Sequence, residues 1–314
     1  MMARVGIARQ GGWALRHLVL AVVLASLWGG VPPATLSRAQ GSISCSARPS
    51  PATPVATPPG DAPVEDPTHA PFPNEGGELT VFAAASLTDA FTEIKADLEA
   101  DVPGLEITFN FGGSQALATQ LAEGAEADVF APADQARMQA AVEAGRIAGE
   151  PIPFASNRLA VVVPADNPAG IRTPADLAGE GVKLVLAQPE VPAGRYARQA
   201  ICRMAEETAA HGEDFAGRVA ANIVSQEEDV RGVLTRVQLG EADAGIVYVS
   251  DAVAAGDAVT TIEIPDNVNV VASYPTAEVA GGDHALAAAF IAYVLSPEGQ
   301  ATLGEYGFEL DVRR

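Results

Sequence analysis

From Leu79 onward the chain alternates two rhythms. Short apolar runs predict buried strands, and apolar residues recurring every three or four positions predict amphipathic helices. Residues 79–85 read as a strand of apolar and β-branched residues, and at Ser86 the period changes to a helical one that runs to about Leu98. Ser86 is placed to cap that helix, and Asp89 three residues on completes a capping-box spacing. Ala83, Ala84 and Ala85 keep the turn small, so a ligand can approach the backbone. Strand, small residues, hydroxyl and helix together make an anion-binding corner. The first N–H groups of a helix lack internal partners, and the macrodipole favours negative charge there. Taken alone, the stretch is equally an ordinary capped helix.

The device repeats. Residues 106–111 form a second strand that ends in Gly112-Gly113-Ser114, with a helix predicted over 115–123. Ser114 again sits at the cap, and the two glycines let the backbone turn tightly and approach a ligand. Further strands are predicted at 128–130, 157–164, 183–187, 222–224, 244–249 and 260–264. Helices are predicted at 133–144, from Thr173-Pro174-Ala175-Asp176, from Val191-Pro192-Ala193-Gly194, from Glu228 to Leu239, and over 283–295, with a last one from Ser296-Pro297. Strands alternating with helices through short connections argue an α/β fold.

Upstream of Leu79 the patterning is different. Arg4, Arg9 and Arg16 precede an apolar run at 18–28, too short for a comfortable membrane span, and Ser37-Arg38-Ala39 supplies small residues for cleavage before Gln40. Residues 1–39 are therefore expected to be a signal peptide, an uncleaved anchor being the alternative. Residues 40–77 are rich in Pro, Ala, Thr and Ser and lack hydrophobic periodicity, as expected of a disordered tether or a tail without a role. The protein is expected to be exported, to the periplasm or to a tether at the outer face of the cytoplasmic membrane.

Composition narrows the partners. The chain has 314 residues, enough for two domains, and a formal net charge of -21. No basic stripe is available for nucleic acid, and the charge argues against long-range attraction of an anion, so an anion site must act through local dipoles. Cys45 and Cys202 are the only cysteines. They can pair in an exported protein, or Cys45 can carry lipid; Ser42-Ile43-Ser44 is a poor lipidation signal, and two unlinked cysteines are the favoured expectation.

Familiar catalytic patterns are missing. The four histidines have no zinc spacing, and no Gly-x-Ser-x-Gly, Ser-x-x-Lys, His-Glu-x-x-His or Walker A sequence occurs. No base is evident for the serine hydroxyls. The chain is expected not to be an enzyme and to need no cofactor; a secreted serine hydrolase using Ser86 or Ser114 is the alternative from another class.

Several stretches carry a family resemblance: Val81-Phe82-Ala83-Ala84-Ala85-Ser86-Leu87, Phe111-Gly112-Gly113-Ser114, Ala127-Asp128-Val129-Phe130, Val191-Pro192-Ala193-Gly194, Glu228-Asp229-Val230-Arg231-Gly232, Gly245-Ile246-Val247-Tyr248 and Tyr306-Gly307-Phe308. In this order, over about residues 78–312, the chain resembles the molybdate-binding proteins of ABC transporters. The resemblance implies a two-lobed periplasmic-binding-protein fold of type II. Each lobe would be a mostly parallel sheet flanked by helices, with crossover strands near 155–157 and 273–275. Lobe one would comprise 78–155 plus 275–314, and lobe two 156–274. It further implies a monomer that binds molybdate, and tungstate, between the lobes and passes the oxyanion to a membrane permease. Sulfate or another oxyanion is the alternative ligand. The family's ligand contacts fall on Ser86, Ser114, Ala193, Val230 and Tyr248, which would hold molybdenum as its oxyanion. Ser86 and Ser114 would give hydroxyl and N–H donors, Ala193 and Val230 backbone N–H groups, and Tyr248 its phenol. Where the family often has a run of serines, this chain has Gly113-Ser114-Gln115.

Overall fold

A computed structural model describes residues 43–45, 71–207 and 212–310. The expected signal peptide and most of the expected tether lie outside these residues.

Two mixed sheets organise the chain. The first has the order β11-β4-β10-β3-β1-β2 and the second β7-β6-β8-β5-β9. β1 (Gly77–Ala84) pairs in parallel with β2 (Leu105–Gly112) and β3 (Val129–Ala131). Beside β3 run β10 (Ala272–Val279), then β4 (Ile147–Asn157) and β11 (Glu309–Leu310), all antiparallel to their neighbours. In the second sheet β6 (Leu184–Ala187) is parallel to β7 (Ile223–Glu227) and β8 (Ala244–Tyr248). β5 (Leu159–Pro164) is antiparallel to both β8 and β9 (Val259–Glu263). The sheets are thus less parallel than expected. The reason is topological: β4 and β10 carry the chain out of and back into the first sheet, so they run against each other, and β10 runs against β3.

Each lobe is a sheet with its helices. Lobe one holds α1 (Thr88–Asp101), α2 (Ser114–Ala122), α3 (Gln135–Glu143), and, after β10, α8 (His284–Leu295) and α9 (Pro297–Glu305). Lobe two holds α4 (Pro192–Glu206), α5 (Phe215–Ala221), α6 (Val230–Gln238) and α7 (Val249–Ala255). The continuous apolar strands explain this layering: β5 and β6 are buried along their whole length, so both faces must be covered. Phe91, Phe154 and Phe290 centre the lobe-one core, with Phe91 and Phe290 edge to face at 5.6 Å. Only Arg158 separates β4 from β5, and residues 264–271 lead from β9 back to β10.

The cysteine expectation is overturned. Cys45 and Cys202 form a disulfide with Cα atoms 5.3 Å apart, joining a point in the expected tether to α4 in lobe two. Cys202 lies on the helix that delivers one of the candidate contacts, and Ile43 and Phe72 pack against the core, so this part of the chain has apolar anchors after all. Single apolar residues among prolines leave no periodicity to read.

Candidate functional site

The five residues singled out from sequence meet at one place. A narrow cavity of about 10 Å³ between the lobes is lined by Ser86, Ser114, Ala193, Val230 and Tyr248, together with small neighbours such as Ala85, Gly113 and Ala133. Lobe one supplies the ends of β1 and β2, and lobe two the starts of α4 and α6 and the end of β8. Carboxyl ends of strands and amino ends of helices therefore converge, which is where open α/β sheets collect ligands.

The two serines do not cap helices as expected. A short 3₁₀ turn, Ala85–Leu87, precedes α1, and Ser86 sits inside it rather than at the α-helix cap. Its Oγ lies 2.9 Å from the Oη of Tyr274, a buried residue of β10. Asp89 does not complete a capping box; its carboxylate pairs with Arg231 of α6. Ser114 is the first residue of α2, and its Oγ accepts the Ala133 N–H at 3.0 Å. Both hydroxyls are thus held by other strands and loops of lobe one, which fixes them at the cavity wall. Gly113 has an ordinary backbone, but a Cβ there would meet the Glu228 carbonyl of lobe two at 2.4 Å. The glycine is required for the approach of the other lobe.

Lobe two contributes helix starts. Pro192 is the first residue of α4 and has no N–H, so Ala193 and Gly194 carry the leading amides. Gly194 is packed so closely on the Ala187 and Gln188 carbonyls that any side chain would collide, at 2.1–2.3 Å. At α6, Asp229 is the cap: its Oδ1 accepts the Gly232 N–H at 2.9 Å, leaving the amide of Val230 at the leading edge. Tyr248 ends β8 with its ring edge-on to Tyr274 at 5.9 Å. Its hydroxyl is buried and has no hydrogen-bond partner among the described residues. Burial pushes the phenol well above its ordinary pKa, so it stays a neutral donor.

Cationic side chains stand beside the cavity instead of in it. Arg195 of α4 reaches Asp134, the buried cap of α3, at 2.6 Å. Arg231 of α6 pairs with Asp89 across the cleft and places Nε 2.9 Å from Asp251 in its own lobe. Gln115 adds an Nε2 hydrogen bond to the Glu228 carbonyl at 2.9 Å. These cross-lobe contacts hold the lobes together around the cavity. Sequence reading missed Tyr274, Arg195, Arg231 and Asp134 in these roles. The two arginines directly follow the predicted helix starts, a position that in hindsight marks a side chain pointing across the cleft.

The arrangement suits an anion that accepts hydrogen bonds on every side. Hydroxyls, a phenol and helix amides supply donors, and among the described residues no histidine hydrogen-bonds either serine oxygen. Among the described residues no His, Cys, Asp and Glu cluster suits a bare metal ion.

Comparison with known proteins agrees with this architecture. Residues 79–309 match the family described as bacterial extracellular solute-binding protein. The molybdate-binding protein ModA of Mycobacterium bovis is 42% identical over 238 residues, covering 75% of this chain and 86% of that protein. ModA of Escherichia coli is 34% identical over 241 residues, covering 74% and 90%. Among solved structures, the sulfate-binding protein SubI from Mycobacterium tuberculosis superposes with a TM-score of 0.66 at 21% identity, over 75% of this chain and 88% of that one, a likeness of fold. The matched region holds both sheets and the cavity between them, and the chain belongs to the bacterial extracellular solute-binding proteins, the family it shares with these ModA relatives.

Proposed function

We propose that this protein captures molybdate outside the cytoplasmic membrane and delivers it to the permease of an ABC importer. Ser86, Ser114, Ala193, Val230 and Tyr248 are the contacts in this reading. The observation that carries it is the partnerless Tyr248 hydroxyl, buried in a cavity otherwise walled by hydroxyls and helix N-termini. A buried donor without a partner costs about 1–3 kcal/mol, a cost that an anionic acceptor removes. Hydrogen bonds to a charged group contribute roughly 1.5–3 kcal/mol each, so several neutral donors replace the hydration shell of a dianion without a buried cation.

Binding rather than catalysis is supported by the surroundings of the serine oxygens, Ser86 beside Tyr274 and Ser114 accepting the Ala133 amide. Tungstate, a tetrahedral dianion of nearly the same size, would enter on the same terms. Closure of the lobes over the ligand would use the cross-lobe ion pairs described above. Calorimetric titration of the purified protein with sodium molybdate tests the reading. Saturable binding at one site per chain is expected; no heat and no thermal stabilisation at millimolar molybdate would overturn it.

A further inference from the structure

Two carboxylates among the described residues are wholly buried, Asp134 and Asp251. Asp134 belongs to lobe one and directly follows Ala133, which lines the cavity. Its Oδ1 accepts the Arg137 N–H at 2.7 Å and so caps α3. The Ala133 N–H goes to Ser114 Oγ at 3.0 Å, which seats this turn against one of the proposed anion contacts. Capping needs only a side-chain oxygen, and asparagine supplies one as well as aspartate does. The negative charge of Asp134 is therefore surplus to the cap, and it stands one residue along from the wall of a cavity read as an anion site. A negative charge there works against an incoming anion, and a buried site screens the repulsion poorly.

One cation sits on this carboxylate. Arg195 Nη2 lies 2.6 Å from Asp134 Oδ2, and no other ion pair of Asp134 occurs among the described residues. Arg195 comes from the opposite lobe. It lies in the first turn of α4, two residues after Ala193, and donates its backbone N–H to the Val191 carbonyl at 2.9 Å. Its guanidinium rests over the Tyr196 ring, 4.9 Å from the centroid. The helix start that brings the Ala193 amide to the cavity thus brings a compensating charge with it. We propose that Arg195 is a positioning residue that acts through Asp134, cancelling the buried carboxylate so that a dianion can settle beside it. The inference rests on the anion-binding reading of the cavity and gives the ion pair a task distinct from fastening the lobes. A fastening is lost by removing either partner. A compensating charge matters only while the carboxylate is there.

The test is a double-mutant cycle of Arg195→Ala and Asp134→Asn, read by calorimetry with sodium molybdate and by thermal unfolding without it. Asparagine keeps the cap of α3, so Asp134→Asn changes the charge and spares the helix start. Arg195→Ala is expected to weaken molybdate binding at least roughly tenfold. Asp134→Asn should bind at least as tightly as the parent. Adding it to Arg195→Ala should bring the affinity back to within about threefold of the parent, because the two positions are coupled through one charge. Equal losses from the two single variants, or a double variant no tighter than Arg195→Ala, would overturn the proposal and leave a plain fastening between the lobes. Parental affinity in Arg195→Ala would overturn it as well. These outcomes leave the site reading intact, whereas a parent protein that binds no molybdate fails the site reading and the proposal together. If Arg195→Ala does not fold, Arg195→Gln takes its place in the same cycle, and a loss that Asp134→Asn does not relieve again overturns the proposal.

Discussion

At the residue scale, Tyr248 is unevenly served by its surroundings. Its ring is packed and buried, yet its hydroxyl has no hydrogen-bond partner among the described residues. Removing that hydroxyl should therefore act in opposite directions on stability and on binding. Tyr248→Phe is expected to leave the melting temperature of the unliganded protein unchanged or raised, and to weaken molybdate binding roughly tenfold to a hundredfold. Parallel thermal-unfolding and calorimetry series check this; a variant that loses stability and keeps affinity would show that the phenol serves the fold instead. Ser86 and Ser114 were legible in sequence because a hydroxyl after small residues at a strand-to-helix change is a recognisable corner. Their bonds were not legible. Local spacing pointed to capping, whereas the partners, Tyr274 and the Ala133 amide, come from distant segments. Only the folded chain places Tyr274 188 positions away within reach of Ser86.

At the element scale, α4 and α6 each present a leading amide to the cavity and an arginine to a carboxylate of lobe one. The Arg231 cluster lets the two tasks be separated. Asp89 is 38% exposed in its side chain, while Asp251 is fully buried. Asp89→Asn removes only the cross-lobe half of the cluster and should weaken molybdate binding several-fold with little change in melting temperature. Arg231→Ala also strands a buried carboxylate and should destabilise the fold by about 3–5 kcal/mol. Calorimetry and denaturant unfolding of the two variants distinguish these outcomes, and equal destabilisation by both would contradict the assignment. Asp251 adds a pH dependence. Burial raises its pKa from 3.8 to about 6, with Arg231 opposing the shift. The folded state holds this proton more tightly than the unfolded state. The resulting stabilisation is complete below about pH 3.8 and lost as pH rises through about 6. Relative to Asp251→Asn, the parent should gain about 2 kcal/mol between pH 7 and pH 4 in urea unfolding. A flat difference would reject the buried-acid account. Elements with clean periodicity were visible in the sequence, but β4 and β10 were not. Pro151, Pro153 and Pro275 argue against strands, and the β4–β10 pairing accommodates prolines by shifting register at Tyr274/Pro275.

At the scale of the whole molecule, the Cys45–Cys202 bridge spans 157 positions and fastens the segment before the lobes to α4. Neither cysteine is free, so Cys45 is unavailable for lipid. Alkylation of the native exported protein should label no cysteine before reduction and both after it. Reduction should lower stability by about 2–5 kcal/mol, since a long loop is released in the unfolded chain. Labelling of Cys45 without reduction would contradict the bridge. The α/β plan was legible because strand and helix rhythms alternate along 79–309, and the two lobes were implied by the family resemblance, whereas the bridge was not legible, because two isolated cysteines carry no spacing signal. The cavity's selectivity depends on both lobes at once. Molybdate, tungstate and sulfate are tetrahedral dianions near neutral pH, so charge does not separate them. Size does, because sulfur–oxygen bonds are shorter than molybdenum–oxygen bonds. Here the donors cannot follow a smaller ion inward. Ser86 and Ser114 are tied within lobe one, and the starts of α4 and α6 are held by Gly194 packing and the Asp229 cap. Gly113 lies so near the Glu228 carbonyl that a Cβ there would meet it at 2.4 Å, which leaves the lobes little room to close further. Sulfate should leave at least one hydrogen bond stretched, a loss of about 1–3 kcal/mol. Titrations at fixed pH and salt should therefore give similar affinities for molybdate and tungstate and an affinity at least roughly tenfold weaker for sulfate. Phosphate should also lose, since its protonated form brings an O–H to a wall of donors. Sulfate bound as tightly as molybdate would reject the molybdate assignment and leave an oxyanion-binding cavity of different selectivity.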